Sequence, residues 1–180
     1  MKKALLVVDY TVDFVADDGA LTCGKPGQAI EETICRLTED FLTEKELVVM
    51  PVDLHEKNNA FHPEAKLFPP HNIRGTAGRE LYGRLAEVYK ANADHIIWMD
   101  KTRYSAFAGT NLDLLLSERN IKELHIVGVC TDICVLHTAV DAYNKGYKIF
   151  IHKNGVASFN QAGHDWALQH FTTTLGAQVL

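Results

Sequence analysis

The segment GVCTDICV, residues 128–135, carries two cysteines where an apolar run gives way to a helical pattern. Cys134 falls in the first turn of the predicted helix, where free N–H groups and the helix dipole favour an anion. Such a position lowers the pKa of a thiol and enriches the nucleophilic thiolate. Free cysteine is also among the residue types most often buried as a small apolar side chain. The segment alone therefore leaves two interpretations of Cys134, a nucleophile or part of the core.

Two charged residues at the ends of other predicted strands could serve such a nucleophile. Asp9 ends the run ALLVVD, and a carboxylate at the end of a buried strand is costly unless it is paired or hydrogen-bonded. Lys101, in MDKTRYSAF, could be its partner cation. Asp9 would then act as a general base or acid whose pKa is set by burial and the cation. The ordinary alternatives are a loop-capping Asp9 and a solvated surface Lys101.

A third group of candidates lies in residues 53–71, DLHEKNNAFHPEAKLFPPH. Asp53 and His55 point to the same side of an extended chain, because extended side chains alternate. Four more ligand-type residues follow in this segment: Glu56, His62, Glu64 and His71. Imidazoles and carboxylates together suit Zn, Fe(II) or Mn(II) better than Mg or Ca. The spacing is not that of a zinc finger, so a metal site and an ordinary polar loop both remain open.

Alternating strand and helix patterns position these candidates. Strand-like runs cover 4–9, 46–53, 95–99, 123–129, 147–152 and 176–180, and helical spacing covers about 27–44, 77–91, 110–119, 133–145 and 160–173. This alternation predicts one α/β domain over residues 1–180, with a doubly wound, Rossmann-like, mostly parallel six-stranded sheet and helices on both faces. Residues 10–26 and 53–76 are expected to be irregular.

The candidates converge because ligands of a doubly wound sheet bind outside the carboxyl ends of its strands. Asp9, Asp53, Lys101 and the segment 130–134 each follow or end a different predicted strand. We therefore expect them to form one active site. Four aromatic residues lie in or beside loops at the same edge: Phe14, Phe68, Tyr104 and Phe107. They could line a pocket for a flat ring or merely seal the margin of the core.

Composition excludes several other classes. The chain has 180 residues, 47% hydrophobic and 23% charged, with a formal net charge of −5. A mildly acidic balance offers no electrostatic footprint for nucleic acid or anionic lipid, and the apolar runs are too short for a membrane span or signal peptide. A cytoplasmic protein with four free cysteines is expected. Motifs for dinucleotides, P-loop nucleotides and serine hydrolases do not occur.

Five segments, in this order, resemble the isochorismatase-like cysteine hydrolases, and most of all the nicotinamidases: LLVVDYTVDF, PVDLHE, FHPEAKLFPPHNIRGTAG, DKTRYSAF and GVCTDICV. The resemblance implies a catalytic triad of Asp9, Lys101 and Cys134. It implies an oxyanion site made by the backbone N–H groups of Cys130 and Cys134, with a cis peptide between Val129 and Cys130. The reactivity of the Cys130 thiol stays open.

The resemblance also implies a metal site and a ring pocket. The implied metal ligands are Asp53, His55, Glu64 and His71, with His62 as an alternative to Glu64. The metal would be zinc first, with iron or manganese as alternatives. The implied ring pocket is formed by Phe14, Phe68 and Tyr104.

The implied reaction is hydrolysis of nicotinamide to nicotinate and ammonia through a thioester on Cys134, with pyrazinamide as a further substrate. It would belong to NAD salvage in the cytoplasm, and a homo-oligomer is compatible with it. Other readings stay open: an isochorismatase or N-carbamoyl amine hydrolase on the same fold, a metallohydrolase without covalent catalysis, or a non-catalytic metal-binding or thiol-regulatory module.

Overall fold

A computed structural model describes residues 2–180 and contains one six-stranded sheet. The strands are β1 (Lys2–Val8), β2 (Leu47–Asp53), β3 (Ile96–Lys101), β4 (Ile121–Val129), β5 (Lys148–Ala157) and β6 (Gln178–Val179). Their order in the sheet is β3-β2-β1-β4-β5-β6, and every neighbouring pair is parallel. The predicted doubly wound α/β fold is confirmed, and the sheet is wholly parallel.

Within residues 2–180, seven α-helices connect the strands. They are α1 (Val12–Val15), α2 (Lys25–Ala29), α3 (Glu31–Thr43), α4 (Gly83–Ala91), α5 (Leu112–Glu118), α6 (Leu136–Asn144) and α7 (Gln161–Thr173). Short 3₁₀ turns cover Pro63–Lys66, Ala77–Arg79 and Ala93–His95, and a π-helical turn, Thr131–Val135, leads into α6. No helix within residues 2–180 has the length and apolar character needed to cross a membrane.

Helices cover both faces of the sheet, because the side chains of each strand alternate between two apolar cores. Along β1, Leu6 and Val8 pack into the core that also holds α5, α6 and α7. Leu5 and Val7, between and beside them, pack into the core that holds α3 and α4. The continuous apolar strands that the sequence shows are therefore buried from both sides.

Two predicted helices begin or divide differently in the structure. The pattern over 27–44 is interrupted at Ile30, which separates α2 from α3. The pattern over 77–91 becomes a helix only from Gly83, since the N–H of Tyr82 donates to Tyr10 O over 3.0 Å. Leu81 likewise forms a β-bridge with Thr11. Pairing between distant loops thus overrides the local helical pattern.

The order of the strands changes direction between β1 and β4, and this switch point is where a doubly wound sheet binds its ligand. At its edge Val8 is in register with Gly128, which has a φ of +117°. A Cβ atom on Gly128 would lie 2.0 Å from the carbonyl oxygen of Val8. The close approach of the two strand ends therefore requires glycine.

Candidate active site

Three of the predicted residues meet at the switch point. Asp9 follows β1, Lys101 is the last residue of β3, and Cys134 lies in the π-helical turn after β4. Lys101 Nζ is 2.7 Å from Asp9 Oδ2 and 3.6 Å from Cys134 Sγ. All three side chains are buried. The structure therefore brings a carboxylate, a cation and a thiol into direct contact out of water.

The backbone fixes the direction of the Asp9 carboxylate. Asp9 has a φ of 54°, a left-handed conformation that aspartate tolerates better than most residues. Its N–H donates to Pro51 O over 3.0 Å, and its Oδ1 accepts a 2.7 Å hydrogen bond from the N–H of Asp53. With Lys101 on Oδ2, both carboxylate oxygens are held in place.

Burial raises the pKa of Asp9 to about 6, although the Lys101 charge opposes the shift and the Asp53 charge adds to it. Burial alone would lower the pKa of Lys101, but the Asp9, Cys134 and Asp53 charges outweigh it and raise that pKa. Lys101 is therefore a permanent cation. Asp9 is ionised at neutral pH, yet close enough to neutrality to accept a proton.

The pKa of Cys134 differs from the sequence expectation. Burial raises the pKa of Cys134 well above its usual range. The Lys101 charge lowers that pKa, but the Asp9 and Asp53 carboxylates raise it and so oppose Lys101. Cys134 is the fourth of the five residues in the π-helical turn that precedes α6. The expected lowering by a helix N-terminus was wrong, because burial and two nearby carboxylates dominate. The resting thiol is protonated and needs a base.

Beside this triad four ligand-type side chains converge. Asp53, His55, Glu64 and His71 are all buried, and each offers a donor atom within 4.8 Å of the others. His71 Nε2 lies 3.4 Å from Asp53 Oδ2 and 3.5 Å from Glu64 Oε2. His71 Nε2 and Asp53 Oδ1 have no hydrogen-bond partner although both are buried. Two imidazoles and two carboxylates packed this closely out of water are a ligand set that could hold a divalent cation.

His62, the alternative to Glu64, and Glu56, another ligand-type residue of the segment, lie outside this set. His62 packs its ring against His55, with centroids 4.2 Å apart, and its Nδ1 accepts a 3.3 Å hydrogen bond from the N–H of Glu64. Its Nε2 lies 2.8 Å from Thr102 O. Glu56 pairs with Arg74 on the surface instead. His62 therefore contacts the backbone of Glu64 and does not join the ligand set.

The metal site and the triad share one residue. Asp53 Oδ1 lies 3.7 Å from Lys101 Nζ, while Asp53 Oδ2 lies 2.8 Å from His55 Nε2. Burial would raise the pKa of Asp53, but the Lys101 charge, the hydrogen bond from His55 and the contact with His71 keep it well below its usual range. Asp53 is thus a permanent anion that links the two groups.

A small cavity opens onto both groups. Its walls include the three predicted aromatic residues, Phe14, Phe68 and Tyr104, together with Cys134 and the metal-site carboxylates. Phe14 and Phe68 also contact His71, with ring centroids at 5.2 Å and 6.3 Å. Burial raises the pKa of Tyr104 to about 12, so its phenol stays neutral. A flat aromatic ring held here would touch the thiol and the metal site together. Phe107, the fourth loop aromatic, instead packs in the core against Tyr147.

Sequence reasoning missed three further walls of this cavity: Leu21, Ile133 and Phe159. Ile133 lies in the segment predicted as helix. Phe159 follows β5, which extends five residues beyond its predicted end at 152. The position of Phe159 depends on how β5 and α7 meet, which no local pattern reveals.

Arg79 is another residue that the sequence did not mark. Its Nε donates to the carbonyl oxygen of Asp53 over 2.8 Å, and its Nη2 pairs with Asp100 Oδ1 at 2.5 Å. Asp100 directly precedes Lys101 in β3. The guanidinium thus joins the strand ends that carry Asp53 and Lys101. Arg79 lies within the stretch 77–91 that the sequence pattern predicts as helix, and no motif distinguishes it there.

The Cys130 thiol faces another cysteine. Its Sγ lies 3.2 Å from Cys23 Sγ, and both side chains are buried. Contact with Cys23 and burial raise the pKa of Cys130 well above its usual range. The peptide between Val129 and Cys130 is cis, as the family resemblance implied. Cys130 therefore enters the site as a neutral thiol beside the cavity.

A larger cavity, of about 890 Å³, lies at the opposite end of the strands. It is lined by residues at the strand beginnings, such as Lys2, Leu47 and Ile121. None of its titratable lining residues is buried. Cavity size alone would therefore point to the wrong end of the sheet, whereas buried titratable side chains identify the switch point as the candidate site.

A parallel α/β sheet that holds a buried cysteine, lysine and aspartate at its switch point, beside four ligand-type side chains, is the arrangement expected of a cysteine hydrolase. The chain matches the isochorismatase domain over residues 3–180, and it belongs to the isochorismatase family of hydrolases. It is 61% identical, over 99% of both chains, to the uncharacterized isochorismatase family protein PncA of Bacillus subtilis. The predicted family is confirmed.

Solved structures show the same similarity. A crystal structure of nicotinamidase/pyrazinamidase PncA from Bacillus subtilis is 61% identical to this chain, with a TM-score of 0.97 over 99% of each chain. A pyrazinamidase of Pyrococcus horikoshii in complex with zinc is 26% identical, with a TM-score of 0.87 over 100% of this chain and 99% of the other.

Proposed function

We propose that this chain hydrolyses nicotinamide to nicotinate and ammonia through a thioester on Cys134. The observation that carries the proposal is the shared cavity: Cys134, paired with Lys101 and Asp9, and the metal site both face the same aromatic walls. The similarity to a nicotinamidase/pyrazinamidase at 61% identity supports the choice of substrate, and it makes pyrazinamide a second one.

The triad residues divide the proton transfers between them. Asp9 accepts the Cys134 proton while the sulfur attacks the amide carbon, because the thiol is protonated at rest and Asp9 is ionised. Asp9 returns that proton to the nitrogen as the C–N bond breaks, and ammonia leaves. It then takes a proton from the water that attacks the thioester, and returns it to the Cys134 sulfur as nicotinate is released. Lys101 keeps Asp9 oriented and offsets its charge throughout.

The tetrahedral intermediate at each stage carries a negative oxygen. We assign its stabilisation to the backbone N–H groups of Cys130, which directly precedes the π-helical turn, and of Cys134, which lies within it. Removing one such donor costs about 3–4 kcal/mol of transition-state stabilisation in comparable sites. The Cys130 side chain takes no part, since its thiol faces Cys23.

Asp53, His55, Glu64 and His71 would hold the metal, and zinc is the ion that we propose. Two imidazoles and two carboxylates suit zinc, with iron(II) and manganese(II) next, and a related pyrazinamidase was solved with zinc. When bound, the ion supplies a Lewis acid for the pyridine nitrogen and so orients the ring. Phe14, Phe68 and Tyr104 would hold the ring faces.

The remaining proposals concern the setting of the enzyme. We propose that residues 1–180 act as one hydrolase domain in the cytoplasm, in the salvage of NAD. A homo-oligomer is compatible with the fold.

The test is a matched pair of cysteine variants. Cys134→Ala should lower the rate of ammonia release from nicotinamide at least about a thousandfold, because no other buried thiol contacts Lys101. Cys35→Ala removes an equally buried thiol from α3 and should leave the rate within about threefold. Both variants should keep the metal content of the wild-type chain. Ammonia release by Cys134→Ala at a wild-type rate would sink the proposal, and isochorismate turnover without nicotinamide turnover would redirect it.

A further inference from the structure

The ring cavity is too small for its substrate as it stands. Its volume is about 20 Å³, which is room for about one water molecule. A six-membered aromatic amide has nine heavy atoms and needs several times that volume. At least one wall must therefore move when the substrate binds, and the wall that moves influences which substrates are accepted.

The walls differ sharply in exposure. Phe14 and Cys134 are each 6% exposed and belong to the two apolar cores, and the metal-site carboxylates are buried as well. Phe159 is 47% exposed, and it is the one lining residue that solvent reaches this freely. Leu21, Phe68, Tyr104 and Ile133 are intermediate. Phe159 therefore stands at the mouth of the cavity.

Hydrogen bonds hold the backbone on both sides of Phe159. Ser158 Oγ donates to Asp132 Oδ1 over 2.6 Å, which ties the loop to the turn carrying Cys134. Asn160 caps α7, because its Oδ1 accepts a 3.1 Å hydrogen bond from the N–H of Gly163. The residues on both sides of Phe159 are thus anchored, and rotation of its own side chain is the simplest movement that clears the mouth.

We propose that Phe159 is a specificity-determining residue that covers the outward edge of the substrate ring. The inference rests on the proposed function. In the proposed reaction nicotinamide would present its carboxamide carbon to Cys134 and its ring nitrogen to the metal-site cluster, and both groups lie on the buried side of the cavity. These two anchors occupy ring positions 3 and 1, so the edge centred on carbon 5 faces the mouth. A substituent at carbon 5 meets Phe159.

The experiment compares nicotinamide with 5-methylnicotinamide as substrates of four forms of the metal-loaded enzyme. A methyl group in an apolar site changes kcat/KM by about 10–200-fold. The wild-type chain should therefore prefer nicotinamide at least about tenfold. Phe159→Ala should reduce that preference to within about threefold, mainly by lowering KM for the methylated amide, and Phe159→Leu should lie between. Trp166→Ala, which removes an exposed aromatic side chain of α7 outside the cavity, should keep the wild-type preference.

Binding provides a readout independent of turnover. In the Cys134→Ala background, calorimetry should show the same loss of preference when Phe159 is also replaced by alanine. An unchanged preference in an active, folded Phe159→Ala enzyme, or unchanged binding ratios in the Cys134→Ala background, overturns this inference alone. Absence of nicotinamide turnover by the wild-type chain overturns the proposed function and this inference with it.

Discussion

Replacing Lys101 with methionine removes a buried cation while keeping most of its apolar stem. Lys101 Nζ lies 2.7 Å from Asp9 and 3.7 Å from Asp53. At an effective dielectric constant of about 20, these contacts correspond to gross attractions of about 6 and about 4.5 kcal/mol. Desolvation offsets much of this, and breaking a buried pair typically costs about 3–5 kcal/mol. We expect Lys101→Met to lower the free energy of unfolding by that amount at pH 8.

The loss should depend on pH in a defined direction. Lys101 lowers the pKa of Asp9, so its removal raises that folded-state pKa further above the unfolded value of 3.8. The cost of the unpaired Asp9 charge is then full at high pH and is relieved as pH falls through the folded-state pKa. The deficit of Lys101→Met should therefore be smaller at pH 5 than at pH 8.

Urea unfolding in the presence of chelator, at both pH values, measures the deficit without a contribution from metal binding. Lys145→Met is the control, because Lys145 pairs with Asp113 at 2.9 Å on the surface and should lose at most about 1 kcal/mol. Asp9→Asn combined with Lys101→Met should recover at least about 1 kcal/mol of the single-variant loss. A deficit of Lys101→Met no larger than that of the control, or no recovery in the double variant, would refute the buried ion pair as described.

Three further predictions concern the base, the metal site and the sheet. With saturating metal, kcat/KM for nicotinamide should fall about tenfold per pH unit below about pH 6. Burial raises the pKa of Asp9 to about 6, and Asp9 must be ionised to accept the thiol proton. A profile that stays flat to pH 4 would count against Asp9 as the base. His71→Ala should lose bound metal in elemental analysis while His62→Ala keeps it, and equal metal loss from both variants would contradict the assignment. The apparent metal affinity should also rise with pH, because burial lowers the pKa of His71 but its contacts with the Asp53 and Glu64 carboxylates outweigh burial and raise that pKa to about 10. Gly128→Ala should destabilise the fold by more than about 4 kcal/mol in urea unfolding, because its Cβ would lie 2.0 Å from a carbonyl oxygen of β1; a loss under about 1 kcal/mol would contradict that packing.

The sequence predicted the sheet well because its strands are buried on both faces. Three of the apolar runs end at, or within two residues of, a charged residue, and in a parallel sheet those ends share one edge. Asp9, Asp53 and Lys101 could therefore be placed together without knowledge of any contact. The order of the strands, which sets Asp9 beside the segment of Cys134, is a tertiary property that local patterns do not contain.

The features that sequence reasoning missed all depend on contacts between distant segments. The start of α4 is displaced because Tyr82 bonds to Tyr10, and the raised pKa of Cys134 follows from burial beside two carboxylates. Arg79 and Phe159 act from positions whose local patterns indicate only helix or loop. Residue types and their spacing in the sequence identify candidate residues, but the protonation states and the neighbours of those residues depend on the tertiary structure.

Mass spectrometry of the wild-type chain, quenched in acid during steady turnover of nicotinamide, tests the central claim most directly. Acid halts hydrolysis of the thioester, and fragmentation of the peptide that contains both Cys130 and Cys134 locates the added group. We predict one nicotinoyl group on Cys134 and an unmodified Cys130. Turnover with no acyl group on Cys134, or with the acyl group on Cys130, would contradict the account.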